Sequence, residues 1–131
     1  MRRLRDLGDE DGSAVVEFTL VGVLLTVLTL GVVQLGLALH VRNTVLDAAA
    51  EGARFAALAD NVPADGVTRT RELITEAIGA DYATDVRVAT GEWGGHPSVT
   101  VTVRTTLPVV GLLGATGGLE VAGHAARETL D

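Results

Sequence analysis

The sequence predicts an α+β chain: a long N-terminal helix whose first half is embedded in a membrane, a short second helix, and a small three-stranded antiparallel sheet. Three observations carry this. Phe18 to Leu39 is a 22-residue run without a charge. Apolar residues then recur at three- and four-residue spacing as far as Ala59, the period of a helix with one buried face. Towards the C-terminus the period drops to two, with Val99, Val101 and Val103 alternating with Thr100, Thr102 and Arg104.

As a helix the uncharged run is about 33 Å long, enough for the roughly 30 Å hydrocarbon core of a bilayer. The helix is expected from about Ala14 to Asp60. Its second half is amphipathic, with Val41, Val45, Ala48, Ala49, Gly52, Phe55, Ala56 and Ala59 on one side and Arg42, Asp47, Glu51 and Arg54 elsewhere. Glu51 and Arg54 are spaced to pair on the surface, worth roughly 0.2–0.5 kcal/mol. Ala48, Gly52 and Ala56 are small enough for another element to approach the backbone, either the chain's own sheet or a neighbouring subunit.

Asp60 to Gly66 carries loop signals, with Pro63 and Gly66 expected to end the helix. In the second helix Thr68 or Thr70 is the expected cap, Leu73, Ile74, Ala77 and Ile78 the apolar stripe, and Gly79 the stop. Val86 and Val88, alternating with Asp85 and Arg87, mark the first strand, and Val99 to Thr106 the second. Gly91 to Pro97 should connect them. Trp93, the sole tryptophan, either covers the sheet edge or stands at a contact surface, and core cover is the expectation taken. A third strand is expected over Leu119 to Ala126, after an apolar, glycine-rich loop from Pro108 to Gly118.

Composition narrows the chemistry. There are no cysteines, so neither a disulfide framework nor a thiolate metal site exists. All ten basic residues are Arg and the net charge is −7, the opposite of a phosphate-neutralising face, so nucleic acid is not an expected partner. His40, His96 and His124 are isolated from one another and from acids at ligand spacing. Ser13 and Ser98 lie in no nucleophile elbow, and Gly91, Gly94 and Gly95 make no phosphate loop without a Lys. The sequence therefore predicts no enzyme, no metal and no cofactor.

Two polar side chains in the apolar segment need explaining. Glu17 stands at the mouth of the uncharged run; a charge at the bilayer centre costs about 2.5–3.5 kcal/mol, and less near the boundary. The helix dipole offsets roughly 0.3–1 kcal/mol of such a cost for an acid in the first turn. Gln34, with Gly31 and Ala38 three and four residues away, forms a polar and small stripe on which a second helix can dock.

Gly12-Ser13-Ala14-Val15-Val16-Glu17-Phe18 resembles the processing site of type IV pilins, in which a leader ends in Gly and Glu is the fifth mature residue. With the long apolar helix and Asp47-Ala-Ala-Ala-Glu-Gly-Ala-Arg-Phe-Ala-Ala57, residues 12 to about 58 resemble the TadE/TadG-like minor pilins, or pseudopilins, of tight-adherence (Flp-type) pilus systems. The resemblance implies a pilin-like fold and cleavage between Gly12 and Ser13. It also implies pairing of the new Ser13 ammonium with Glu17 of the same or a neighbouring subunit. The implied partners are a prepilin-type peptidase, other pilins, and an inner-membrane assembly platform driven by a cytoplasmic ATPase, besides membrane lipid.

On this reading residues 1–12 are a cytoplasmic leader, 13–39 a single membrane span, 40–60 the extracytoplasmic continuation of the helix, and 61–131 a small α+β domain. Arg2, Arg3 and Arg5 before the span against Arg42 and Arg54 after it favour a cytoplasmic N-terminus. The expected function is that of a minor pilin in assembly of a type IVc-like pilus. The alternatives are a membrane-anchored binding domain that never polymerises and a secreted protein released by a signal peptidase.

Overall fold

The computed structural model describes residues 2–108 and 118–129, with side chains from residue 10 onward. The expected apolar loop after Pro108 thus falls, over 109–117, outside the described residues. The chain divides into two units, Met1–Gly36 and Leu37–Asp131.

The first unit is helical from Arg2, and the helix, α1 (Arg2–Ala57), continues into the second unit. It begins earlier than the expected Ala14 because residues 2–13 contain no proline and include three Arg and two Leu, which favour a helix. Between Val15 and Leu35 the large apolar side chains are exposed on every side, Phe18 at 81%. A helix apolar all round needs an apolar surrounding. Among the described residues α1 is long and apolar enough to cross a membrane.

Helix α1 stops at Ala57, short of the expected Asp60, because its last carbonyls are taken by groups from elsewhere. The Asn61 side chain donates to the Phe55 carbonyl at 2.7 Å, and the Glu128 backbone N–H donates to the Ala57 carbonyl at 2.9 Å. Both satisfy acceptors that a helix end leaves orphaned.

In the second unit the rest of α1 is followed by α2 (Pro63–Ala77), a 3₁₀ turn at Ala80–Ala83, and strands β1 (Asp85–Trp93), β2 (His96–Thr106) and β3 (Gly118–Ala126). The strands form an antiparallel meander in the order β1-β2-β3. Thr68 and Thr70 do not cap α2. Pro63 occupies its first turn, where the missing N–H costs nothing, and the Asp65 carboxylate accepts the Val62 N–H at 2.9 Å. Gly79, at φ +111°, does stop the helix. The hairpin between β1 and β2 is tighter than expected: Gly94 and Gly95, at φ +60° and +81°, make the whole turn, and such two-residue turns favour glycine at both positions.

The core lies between the inner face of the sheet and the two helices. Val99, Val101 and Val103 on β2 are fully buried, and each contributes about 1.5–3 kcal/mol relative to exposure. Val86 and Val121 flank them, and Val41, Val45, Ala49 and Ala53 of α1 with Ile74 of α2 close the layer. The approach is close. A Cβ on Gly123 of β3 would lie 2.5 Å from Ala49 C and Ala50 Cα, so only glycine lets the strand reach the helix backbone there.

Candidate functional site

Gly12 and Ser13 lie within α1, in helical and exposed backbone, and a Cβ at Gly12 would meet nothing within 4 Å. Glu17 follows Ser13 by one turn, so the two share a face. It is exposed, and among the described residues no hydrogen bond or ion pair reaches its carboxylate. The nearby hydroxyls behave differently. Thr19, Thr26 and Thr29 each donate at 2.8 Å to the carbonyl four residues earlier, Val15, Gly22 and Leu25, so the helix satisfies them internally.

Further along, a Cβ at Gly31 would again meet nothing within 4 Å, while Gln34 and Ala38 are half-buried. Ala48, Gly52 and Ala56 are buried, and the element that covers them is α2. A Cβ on Gly52 would run into Thr70 Oγ1 and come within 2.7 Å of the Gly66 carbonyl; one on Gly66 would come within 2.8 Å of Ala56 Cβ and the Gly52 carbonyl. The buried Thr70 hydroxyl donates to the Ala48 carbonyl at 3.3 Å. Within one chain, then, this stripe is the seat of α2, and the Gly66 read as a helix breaker is where two helices cross.

The sequence missed one surface feature. Trp93 does not cover the core: it is 65% exposed, on the face of the sheet opposite the helices, and stacks on His124 with centroids 5.7 Å apart and planes within 7°. Thr100 Oγ1 and His124 Nδ1 are 2.8 Å apart and share a hydrogen bond. Strand parity carries the missing signal, since Trp93 falls in register with Asp85, Arg87, Ala89 and Gly91 rather than with Val86 and Val88.

Elsewhere four exposed ion pairs are present: Arg54 with Glu51 at 3.5 Å, Arg69 with Glu72 at 3.8 Å, and Arg87 with Asp85 and Arg104 with Glu120 at 3.0 Å each. Pairs of this kind contribute about 0–1 kcal/mol each, so they colour the surface more than they hold the fold. Among the described residues no group of three or more His, Asp or Glu is placed to hold a metal ion.

The family model for TadE-like proteins matches residues 12–54. The chain is TadE-like across that segment. The match begins at Gly12 and contains Ser13, Glu17, the uncharged run and the amphipathic helix as far as Arg54. It stops before α2 and the sheet, which lie outside the TadE-like segment. No curated protein and no solved structure matched the chain.

Proposed function

We propose that this chain is a minor pilin of a tight-adherence pilus, held in the cytoplasmic membrane by α1 until it is cleaved and assembled. Glu17 is the observation that carries the reading. In a segment whose hydroxyls are all bonded to their own helix, one carboxylate is exposed at the start of the apolar run without a partner among the described residues. A simple anchor gains nothing from such a group: α1 begins at Arg2, so Glu17 lies several turns into the helix, beyond the reach of the dipole that a first-turn acid would have felt. A packed filament does gain. Cleavage after Gly12 would create an ammonium at Ser13, and two charges that are each costly in an apolar interior become a pair.

The residues around the bond suit processing. Gly12–Ser13 is helical before cleavage, so a peptidase must unwind it, and Gly12 lowers the cost of leaving the helix by roughly 1 kcal/mol relative to Ala. In this scheme a prepilin-type peptidase acts on the cytoplasmic side, where Arg2, Arg3 and Arg5 hold the leader, and the unit from Leu37 onward is extracytoplasmic. An assembly platform and its ATPase then move the chain towards other pilins. Its own role is structural.

The experiment is piliation at matched membrane abundance. Glu17→Ala and Glu17→Gln should insert and fold normally, yet be depleted from sheared filaments, because neither supplies the charge that the Ser13 ammonium requires. Normal piliation by both variants would refute charge pairing and return Glu17 to the role of a boundary residue on a non-polymerising anchor.

A further inference from the structure

The outward face of the sheet carries an arrangement that the function proposed above leaves without a role. Trp93 and His124 sit on the two outer strands and meet across β2, where the small, buried Ser98 lies in the row between them. A 5.7 Å separation of near-parallel rings is an offset stack, so the overlap is partial and much of the indole remains open, in keeping with its 65% exposure. The Thr100 hydrogen bond fixes the imidazole. The result is a preformed aromatic ledge on a flat strand surface, and a ligand seated on it need not order the side chains that hold it.

We propose that this ledge is a binding site for a neutral carbohydrate, with the apolar C–H face of a pyranose ring laid on Trp93. The surrounding chemistry selects this class. Along β2 the outward residues beside the ledge are the hydroxyl-bearing Thr100 and Thr102, groups that both donate to and accept from sugar hydroxyls. The carboxylates and guanidiniums further along the same face meet in pairs, Asp85 with Arg87 and Arg104 with Glu120, and the side chain opposite Trp93 in the register is the imidazole of His96, a further hydrogen-bonding group. A protein partner needs a broad surface, about 800 Å² per side, with an apolar centre. Here Trp93 is the one exposed large apolar side chain on a face otherwise made of Ala, Gly, Ser, Thr, His and paired charges. A sugar ring is the right size for a single indole.

Trp93 is the sole tryptophan, so emission excited selectively in tryptophan, beyond the absorption of Tyr82, reports on the ledge alone. The full chain, purified in a detergent without a sugar headgroup, would be titrated with maltohexaose, cellohexaose and chitohexaose and screened on an array of neutral and charged glycans. At least one neutral glycan should bind saturably and change the Trp93 emission. Trp93→Ala, with unchanged circular dichroism, should lose binding on the array by at least tenfold, Trp93→Tyr should retain part of it, and His124→Ala should weaken it several-fold. Three results would overturn the proposal: no neutral glycan bound by the full chain, equal binding by Trp93→Ala, or self-association in sedimentation that Trp93→Ala abolishes without any glycan dependence.

Discussion

Replacing Gly123 by Ala tests how the sheet is seated on α1. The added Cβ would lie 2.5 Å from Ala49 C and Ala50 Cα, and it would also run into the Ala50 nitrogen. Ordinary carbon–carbon contact lies at about 3.5–4.0 Å, so strand and helix must part by roughly 1 Å. The obstacle is helix backbone, which cannot rotate away as a side-chain tip can. A gap of that size forfeits about a quarter to a half of each dispersion contact across the layer, here the contacts of Val101, Val103 and Val121 with Val45, Ala49 and Ala53. Overpacking typically costs about 1–3 kcal/mol, and a backbone obstacle places this case near 3 kcal/mol. For a unit of this size each kcal/mol lowers the melting temperature by about 4–8 °C, so Gly123→Ala should melt roughly 12–24 °C below the parent. The readout is thermal loss of near-ultraviolet circular dichroism in detergent micelles, which leave the membrane helix solvated. Gly91→Ala is the control, on the outward face where a Cβ meets nothing within 4 Å, and it should stay within about 0.5 kcal/mol of the parent. If Gly123→Ala melts alongside Gly91→Ala, the close approach of β3 to α1 is wrong.

Two buried hydroxyls should answer oppositely to the same change. Thr70→Val removes the bond to the Ala48 carbonyl and should cost about 1 kcal/mol, whereas Thr105→Val removes a buried hydroxyl with no partner among the described residues and should gain about 1 kcal/mol, both read as shifts in the same melting transition. Gly12→Leu should block processing, so that N-terminal sequencing of protein from piliated cells finds the leader retained. In the full chain, which has no cysteine of its own, an impermeant thiol reagent should label Thr90→Cys from outside the cytoplasmic membrane and leave Asp6→Cys silent; the reverse pattern inverts the topology.

Much of the fold was legible because its core is built from one kind of pattern. The alternating valines of β2 point one way because the sheet is buried on one face, and Val41, Val45, Ala48 and Ala49 recur as a helix with one buried side must. Pro63 and Gly66 were misread for a physical reason: the residues that break helices also start them and let them cross, and only the neighbouring element decides which. Gly66 has its partner in Gly52, and nothing local announces that. Trp93 was misplaced by giving residue type precedence over strand parity. At the TadE-like segment the sequence reading and the family match coincide, because a carboxylate five residues after a glycine, heading an uncharged run, is a local signal that needs no tertiary context.

The seat of β3 on α1 also sets an order of events. The face of α1 that carries Ala49 and Ala53 is complete as soon as the helix has emerged from synthesis, but Val121 and Gly123, which cover it, are made long after it. The Ala57 carbonyl likewise waits for the Glu128 N–H. Contacts so far apart in sequence form late, since the intervening loop entropy must be met first. Until β3 has arrived, the inner face of the helix is an apolar surface open to any neighbour, and a chain truncated before β3 should be a sticky, protease-sensitive anchor rather than a shortened version of the folded protein.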